Sequence, residues 1–412
     1  MKQKTNFNEK GITIIALIIT IILLLILVGV SINLVIKGNL FGSAEKAVDG
    51  TNAKVEQEQT RVDELMGELD KVEKQQKEQE EAEKQKNLLG KRVTENTKYV
   101  SNGKTAWIPK GFTVSGIKSE QSIDNGLVIY DIPEGTTVDW TNPDSVKTAY
   151  NQFVWIPVEV KSTDTENSIA SFYRSEWTAN ESTGGERTNG LSTDYTEPDS
   201  TNDTADKTGI ANQIANLTKS IYKYGGFYIG RYEAGSETER TSSSGVTTLG
   251  IKQDMYPYNY VKWGDSESSI GTTGAVYLSN SLYNTNEYGA TSMLCTGACW
   301  DSMLDFIKDS SHSVTDSTTW GNYNNSETYI INRGKYAVFN TSTYKLEKFQ
   351  DVGNEYSKEK DKSILLTTGA AETRNVAKNI YDVAGNVYEW TTESYSSGLR
   401  VGRGRLLLPR WF

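Results

Sequence analysis

Residues 12–36 read "ITIIALIITIILLLILVGVSINLVI", an apolar run that contains no charged residue. At about 1.5 Å per residue, roughly 25 helical residues cover a hydrocarbon core about 30 Å thick, so the run predicts one transmembrane helix. Lys2, Lys4 and Lys10 precede it, and cations beside a first apolar helix stay cytoplasmic, which directs the rest of the chain outward. A cleaved secretory signal would have a shorter apolar core followed by a small-residue cut site. From residue 43 to 87 the pattern changes to Glu, Lys, Gln and Ala without proline, a composition that favours helix. Val48, Val55, Val62 and Leu69 recur at heptad spacing with Leu65 and Val72 between them, which predicts a short coiled-coil seam in a helical stalk. The seam fades into "EKQQKEQEEAEKQK", polar on every face and therefore solvated.

Beyond Leu89 the period shortens. "TAWIPKGFTVSG", "GLVIYDIPEG" and "YNQFVWIPVEV" are short apolar stretches bounded by Gly and Pro, the signature of strands and hairpins. Residues 161–219 are rich in Ser, Thr, Asn and acidic residues, too polar to bury much surface, and predict a long insertion or loop. The expected organisation is a cytoplasmic leader (1–11), the membrane helix (12–36), the stalk (43–87), a small β-rich segment (88–149) and a larger domain (150–412) carrying the 161–219 insertion. With 412 residues, 36% hydrophobic content and a mean hydropathy of -0.53, the chain is too polar for a polytopic membrane protein. Its net charge of -10 speaks against nucleic-acid binding and for solubility. Two cysteines in a chain of this length exclude a disulfide framework.

Two resemblances sharpen this picture. "EKGITIIALIIT" places Lys10-Gly11 directly before the apolar run and resembles the leader of type IV prepilins of Gram-positive bacteria. The resemblance implies cleavage between Gly11 and Ile12 and filament assembly, although Ala16 stands where that family usually has a glutamate. A plain single-span anchor remains the alternative. "YKYGGFYIGRYEAG", "SMLCTGACWDSMLDFIKD" and "NIYDVAGNVYEWTTE", in this order, resemble the formylglycine-generating-enzyme-like, or sulfatase-modifying-factor, family over residues 153–405. That resemblance implies a C-type-lectin-like ectodomain with many irregular loops, so that, with the transmembrane helix and stalk, the chain is expected to be α+β. The closing "RLLLPRWF" reads as an out-of-frame stretch, because a shift of one nucleotide from Gly404 permits Gly-Gly-Tyr-Tyr-Tyr-Arg-Gly-Gly. The ectodomain is accordingly expected to be truncated, without its closing strand.

Enzymes of the resembled family hold copper on a cysteine pair downstream of the "GNVYEW" element, since paired thiolates select Cu(I). No cysteine follows Trp390 here. Cys295 and Cys299 lie upstream, four apart on a predicted helix, and read as core cysteines or, alternatively, as a metal or redox pair. Asp382 and Glu389 offer hard oxygen ligands, and the carbonyls of Gly385 and Val387 can complete a calcium shell; the resemblance implies the same four positions. Without an ion, the stretch is a Gly-Asn turn beside a core Trp390. The function expected is that of a single-pass cell-membrane protein of a Gram-positive bacterium. Its extracellular, non-catalytic domain would bind an unknown protein or glycan, with calcium as its cofactor. The alternatives are a minor pilin or pseudopilin that self-associates through its stalk or in a pilus, and a formylglycine-generating oxidase.

Overall fold

The computed structural model describes residues 44–188, 195–198, 209–265, 270–283, 286–340, 342–343, 345–395 and 399–404. The prepilin-like site at Gly11 and Ile12, the run 12–36 and the tail 405–412 lie outside the described residues. The chain divides into two units, residues 1–79 and 80–412.

Helix α1, Ala44–Leu88, is 45 residues long and shows what its composition dictates. Its Glu, Lys and Gln side chains are strong helix formers that have no core to cover. The heptad positions Val55, Val62, Leu65 and Val72 are exposed on it. The α+β architecture expected from the sequence, with its N-terminal membrane span, is corrected here. The described residues form a mixed α/β structure with five α-helices, and none of these helices is long and apolar enough to cross a membrane. The physical reason is that length and apolarity are separated: α1 is long but polar, and the helices that carry apolar faces have 15 residues or fewer.

The second unit begins with a hairpin, β1 (Thr97–Ser101) and β2 (Lys104–Ile108), closed by Asn102-Gly103 with both residues at positive φ. Strands β3 (Thr113–Val114), β4 (Val128–Tyr130), β5 (Gln152–Pro157) and β6 (Gly226–Gly230) then build a four-stranded antiparallel sheet in the order β3-β4-β5-β6. Alternation along β5 divides the core. Val154 and Ile156 face one cluster, with Trp300, Met303 and Ile307 of a later helix. Phe153 and Trp155 face a second cluster, with Ile108, Phe112 and Ile129. A strand buried on both faces has no polar side to show, which is why "QFVWIP" reads as a continuous apolar run.

Four further helices pack around this sheet: α2 (Pro143–Ala149), α3 (Ile210–Tyr224), α4 (Ala275–Leu282) and α5 (Gly297–Ile307). Helix α3 ends at Gly225, in left-handed conformation, whose N–H donates to the Ile221 carbonyl, an αL cap. Helix α5 starts at Thr296, whose side chain accepts from the Cys299 N–H, an N-cap. Within the tract expected as an insertion, Glu176–Thr178 pairs with Glu186–Thr188 and α3 occupies its end. Arg187 holds that hairpin by donating from Nη2 to the Tyr173 carbonyl at 2.6 Å, with its guanidinium over the Tyr173 ring. Strands β7 (Lys335–Asn340) and β8 (Ile364–Leu366) pair farther along the chain, as do β9 (Glu389–Tyr395) and β10 (Leu399–Arg403).

Candidate cation site

The stretch "YDVAGNVYEW" is a clamped turn between Ile380–Tyr381 and β9. Asp382 and Asn386 both have positive φ, near 63° and 64°, a conformation that Asp and Asn tolerate better than most residues. Gly385 has φ 88°, and a Cβ there would lie 2.2 Å from the Asn322 carbonyl oxygen, so no other residue fits. The Asn322 N–H donates to the Ala384 carbonyl at 2.8 Å, and the Asn386 N–H donates to the Asn322 carbonyl at 3.1 Å. The side chain of Asn386 is the hub. Its Oδ1 accepts from Asn322 Nδ2 and the Leu366 N–H, and its Nδ2 donates to the Leu366 carbonyl and to Glu233 Oε1.

That last contact brings in a residue the sequence did not nominate. Glu233, 3% exposed, follows β6 and lies in the same electrostatic neighbourhood as Asp382, also 3% exposed, and half-buried Glu389. Its Oε2 is buried without a hydrogen-bond partner. Asp382 Oδ2 accepts from the Gly369 N–H at 2.6 Å, a single bond that does not offset its burial. Burial first, and then the charges of Asp382 and Glu389, push the Glu233 carboxyl well above its ordinary range. Burial and the Asp382 charge push Glu389 up to about 8. Burial pushes Asp382 upward as well. Among the described residues no lysine or arginine pairs with any of the three.

The four nominated positions therefore fall on one turn and the first residue of β9. Glu233, Val387, Tyr388, Glu389 and Trp390 share the wall of a hollow of about 190 Å³. Gly404 closes over the turn, its Cβ position 3.4 Å from the Val387 carbonyl oxygen. Hard carboxylate oxygens without a counter-cation have the donor chemistry of a calcium site. Among the described residues, however, no three His, Cys, Asp or Glu side chains are grouped closely enough to hold an ion by themselves, so any shell here needs the main-chain carbonyls. Glu233 was missed because "GRYE" carries no ligand spacing relative to "DVAGNVYE", almost 150 positions downstream.

The neighbouring charges behave differently. Glu393, on the same strand as Glu389, is held by Arg403 Nη2 at 2.7 Å and by Arg174. Trp390 is half-buried rather than central. Its Nε1 donates to the Val261 carbonyl at 2.9 Å, and its ring packs against a satellite cluster of Ile210, Trp263, Val276 and Leu294. Cys295 and Cys299 are free, with Cys299 buried. Burial pushes the Cys299 thiol up to about 12 and the Cys295 thiol well above its ordinary value, so both are poor thiolates at neutral pH. Compared with known proteins, the chain matches no family model, no curated protein and no solved structure.

Proposed function

We propose that residues 80–412 are a non-catalytic binding domain of the formylglycine-generating-enzyme-like kind, displayed outside a Gram-positive cell and recognising an extracellular protein or glycan. A calcium ion, when bound, supplies the positive charge that the buried carboxylates lack. Asp382 and Glu389 would hold it, together with the carbonyls of Gly385 and Val387. The observation that carries this reading is the pairing of that uncompensated cluster with an exposed aromatic. Tyr388, 53% exposed, sits between Val387 and Glu389, so whatever orders the turn also positions a recognition side chain. Tyrosine suits such a role because it offers a large contact area at low entropic cost. The high thiol pKa of both cysteines supports a non-catalytic role.

The test is thermal melting of the full chain in calcium and in chelator, run beside its retention on a glycan array under the same two conditions. Calcium is expected to raise the melting temperature, and Tyr388→Ala to weaken retention without changing that rise. Identical melting with calcium and chelator would remove the ion. Copper-dependent oxidation of a sulfatase-motif cysteine peptide would overturn the non-catalytic reading.

A further inference from the structure

A larger hollow adjoins the one beside the cation cluster and shares Ile229, Gly230, Leu294 and Cys295 of its wall. It has a volume of about 690 Å³ and lies among β5, β6, α3, α4 and the segment leading into α5. That volume is within the range of small-molecule pockets, about 300–1,000 Å³. None of the residues lining it is Asp, Glu, Lys, Arg or His; Trp107, Phe153, Trp155, Phe227 and Tyr283 form much of its apolar wall. The Trp155 indole packs against Gly226, where a Cβ would come within 2.4 Å of Trp155 Cζ2.

Three residues that line it each carry a buried polar atom without a hydrogen-bond partner among the described residues: Trp155 Nε1, Gln213 Oε1 and Asn280 Oδ1. Trp155 is only 2% exposed. Leaving such atoms unpaired costs roughly 1–3 kcal/mol each, so a pocket that keeps them has polar features for a guest to satisfy. Cys295 and Cys299 also line this wall, and their raised thiol pKa values keep them uncharged. Glu389 and Glu197, when ionised, lie near enough to Cys295 to push its thiol further up. Asn216 and Ser220 of α3 are exposed while lining the hollow, so it opens beside that helix.

We propose that this cavity is a binding site for an uncharged, largely aromatic small molecule that accepts a hydrogen bond from Trp155 Nε1 and engages the amides of Gln213 and Asn280. A wall without charge cannot compensate an ion, and desolvating an unpaired charge is far costlier than desolvating a neutral carbonyl. The unpaired indole N–H selects for an acceptor. The site shares part of a wall with the cation cluster but differs in ligand chemistry, and probe binding and calcium-dependent melting are separate readouts, so either can fail without the other.

The experiment uses the full chain and the neutral ketone probe 6-propionyl-2-(dimethylamino)naphthalene, with the anionic 1-anilinonaphthalene-8-sulfonate as a comparator of similar ring size. The ketone should bind saturably with blue-shifted emission, and the sulfonate at least tenfold more weakly. Ser220→Trp, at an exposed position on the rim where folding is unaffected, should weaken the ketone at least tenfold. Trp155→Phe, in protein whose melting shows it to be folded, should shift the bound emission further to the blue through loss of the donor. Absence of saturable binding, equal binding of the two probes, or indifference to Ser220→Trp overturns the site; an unchanged spectrum in Trp155→Phe overturns the assigned donor.

Discussion

Two buried charge clusters begin two residues apart on the same segment and solve the same problem in opposite ways. Arg231 and Glu120 are each 1% exposed and form an ion pair of 2.7 Å. Ser115 and Tyr130 hydroxyls donate to Glu120, and Arg231 donates to Gln152 Oε1. Burial alone would raise the Glu120 pKa, but Arg231 and those hydroxyls hold it below its ordinary value. Glu233, with Asp382 and Glu389, has burial without a cation, and all three carboxyls move upward. The chain carries its own counter-charge for the first cluster. For the second it leaves the choice between protons and an external cation, which distinguishes a structural ion pair from a candidate site.

The sharpest way to break the comparison is to convert the first cluster into the second. Arg231→Met removes the nearer of two cations from buried Glu120, leaving Lys147 Nζ at 3.7 Å, and should cost about 3 kcal/mol in denaturant unfolding. Adding Glu120→Gln to it should recover a substantial part of that loss. Calcium should act on the second cluster alone: at a concentration one hundred times its dissociation constant it should add about 2.7 kcal/mol to stability. Asp382→Ala should abolish that gain, while Arg231→Met retains it. Differential scanning calorimetry with and without chelator reads both.

Acidity separates the clusters by sign. The carboxyls of Glu233, Asp382 and Glu389 have raised folded-state pKa values, so the folded state holds more protons than the unfolded one above the ordinary carboxylate range. In chelator, stability should therefore fall as pH rises from about 5 to about 8, by up to about 1.4 kcal/mol per pH unit for each group ionising. Saturating calcium should flatten that decline. The folded-state pKa of Glu120 is depressed, so its contribution is present above about 4.5 and is lost as pH falls below that value. A melting profile over pH 3 to 9 distinguishes the two slopes, and a chelator profile that rises between pH 5 and 8 would refute the cluster's assignment.

Smaller effects sharpen the boundary of the site. Glu233→Gln keeps the bond from Asn386 possible after an amide flip but removes one of three like charges, so it should make the chelated protein more stable at pH 8 while weakening calcium. Tyr388→Ala should change stability by less than about 0.5 kcal/mol, as expected for an exposed position. A larger loss would place Tyr388 in the packing of the turn rather than on a recognition face.

What was legible in the sequence follows from local physics. The polar helix Ala44–Leu88 is written in its composition, and β5 in its apolar run bounded by Asn151 and Pro157. The turn at Gly385 is written in "AGN", because residues of those types accept positive φ. Asp382 and Glu389 could be nominated because they lie seven residues apart on one segment. Only the tertiary structure decided that Glu233 belongs with them, since Asn386 joins it across 153 positions of chain. Only the structure likewise decided that Arg231 takes Glu120, 111 positions away by number, while its near neighbour takes no cation. The cavity is the extreme case: its aromatic wall looks in sequence like ordinary core, because hydrophobic pattern specifies which side chains turn inward but not whether they meet. Local propensity acts through neighbours in the chain, whereas charge pairing and void space depend on distances that no spacing in the sequence encodes.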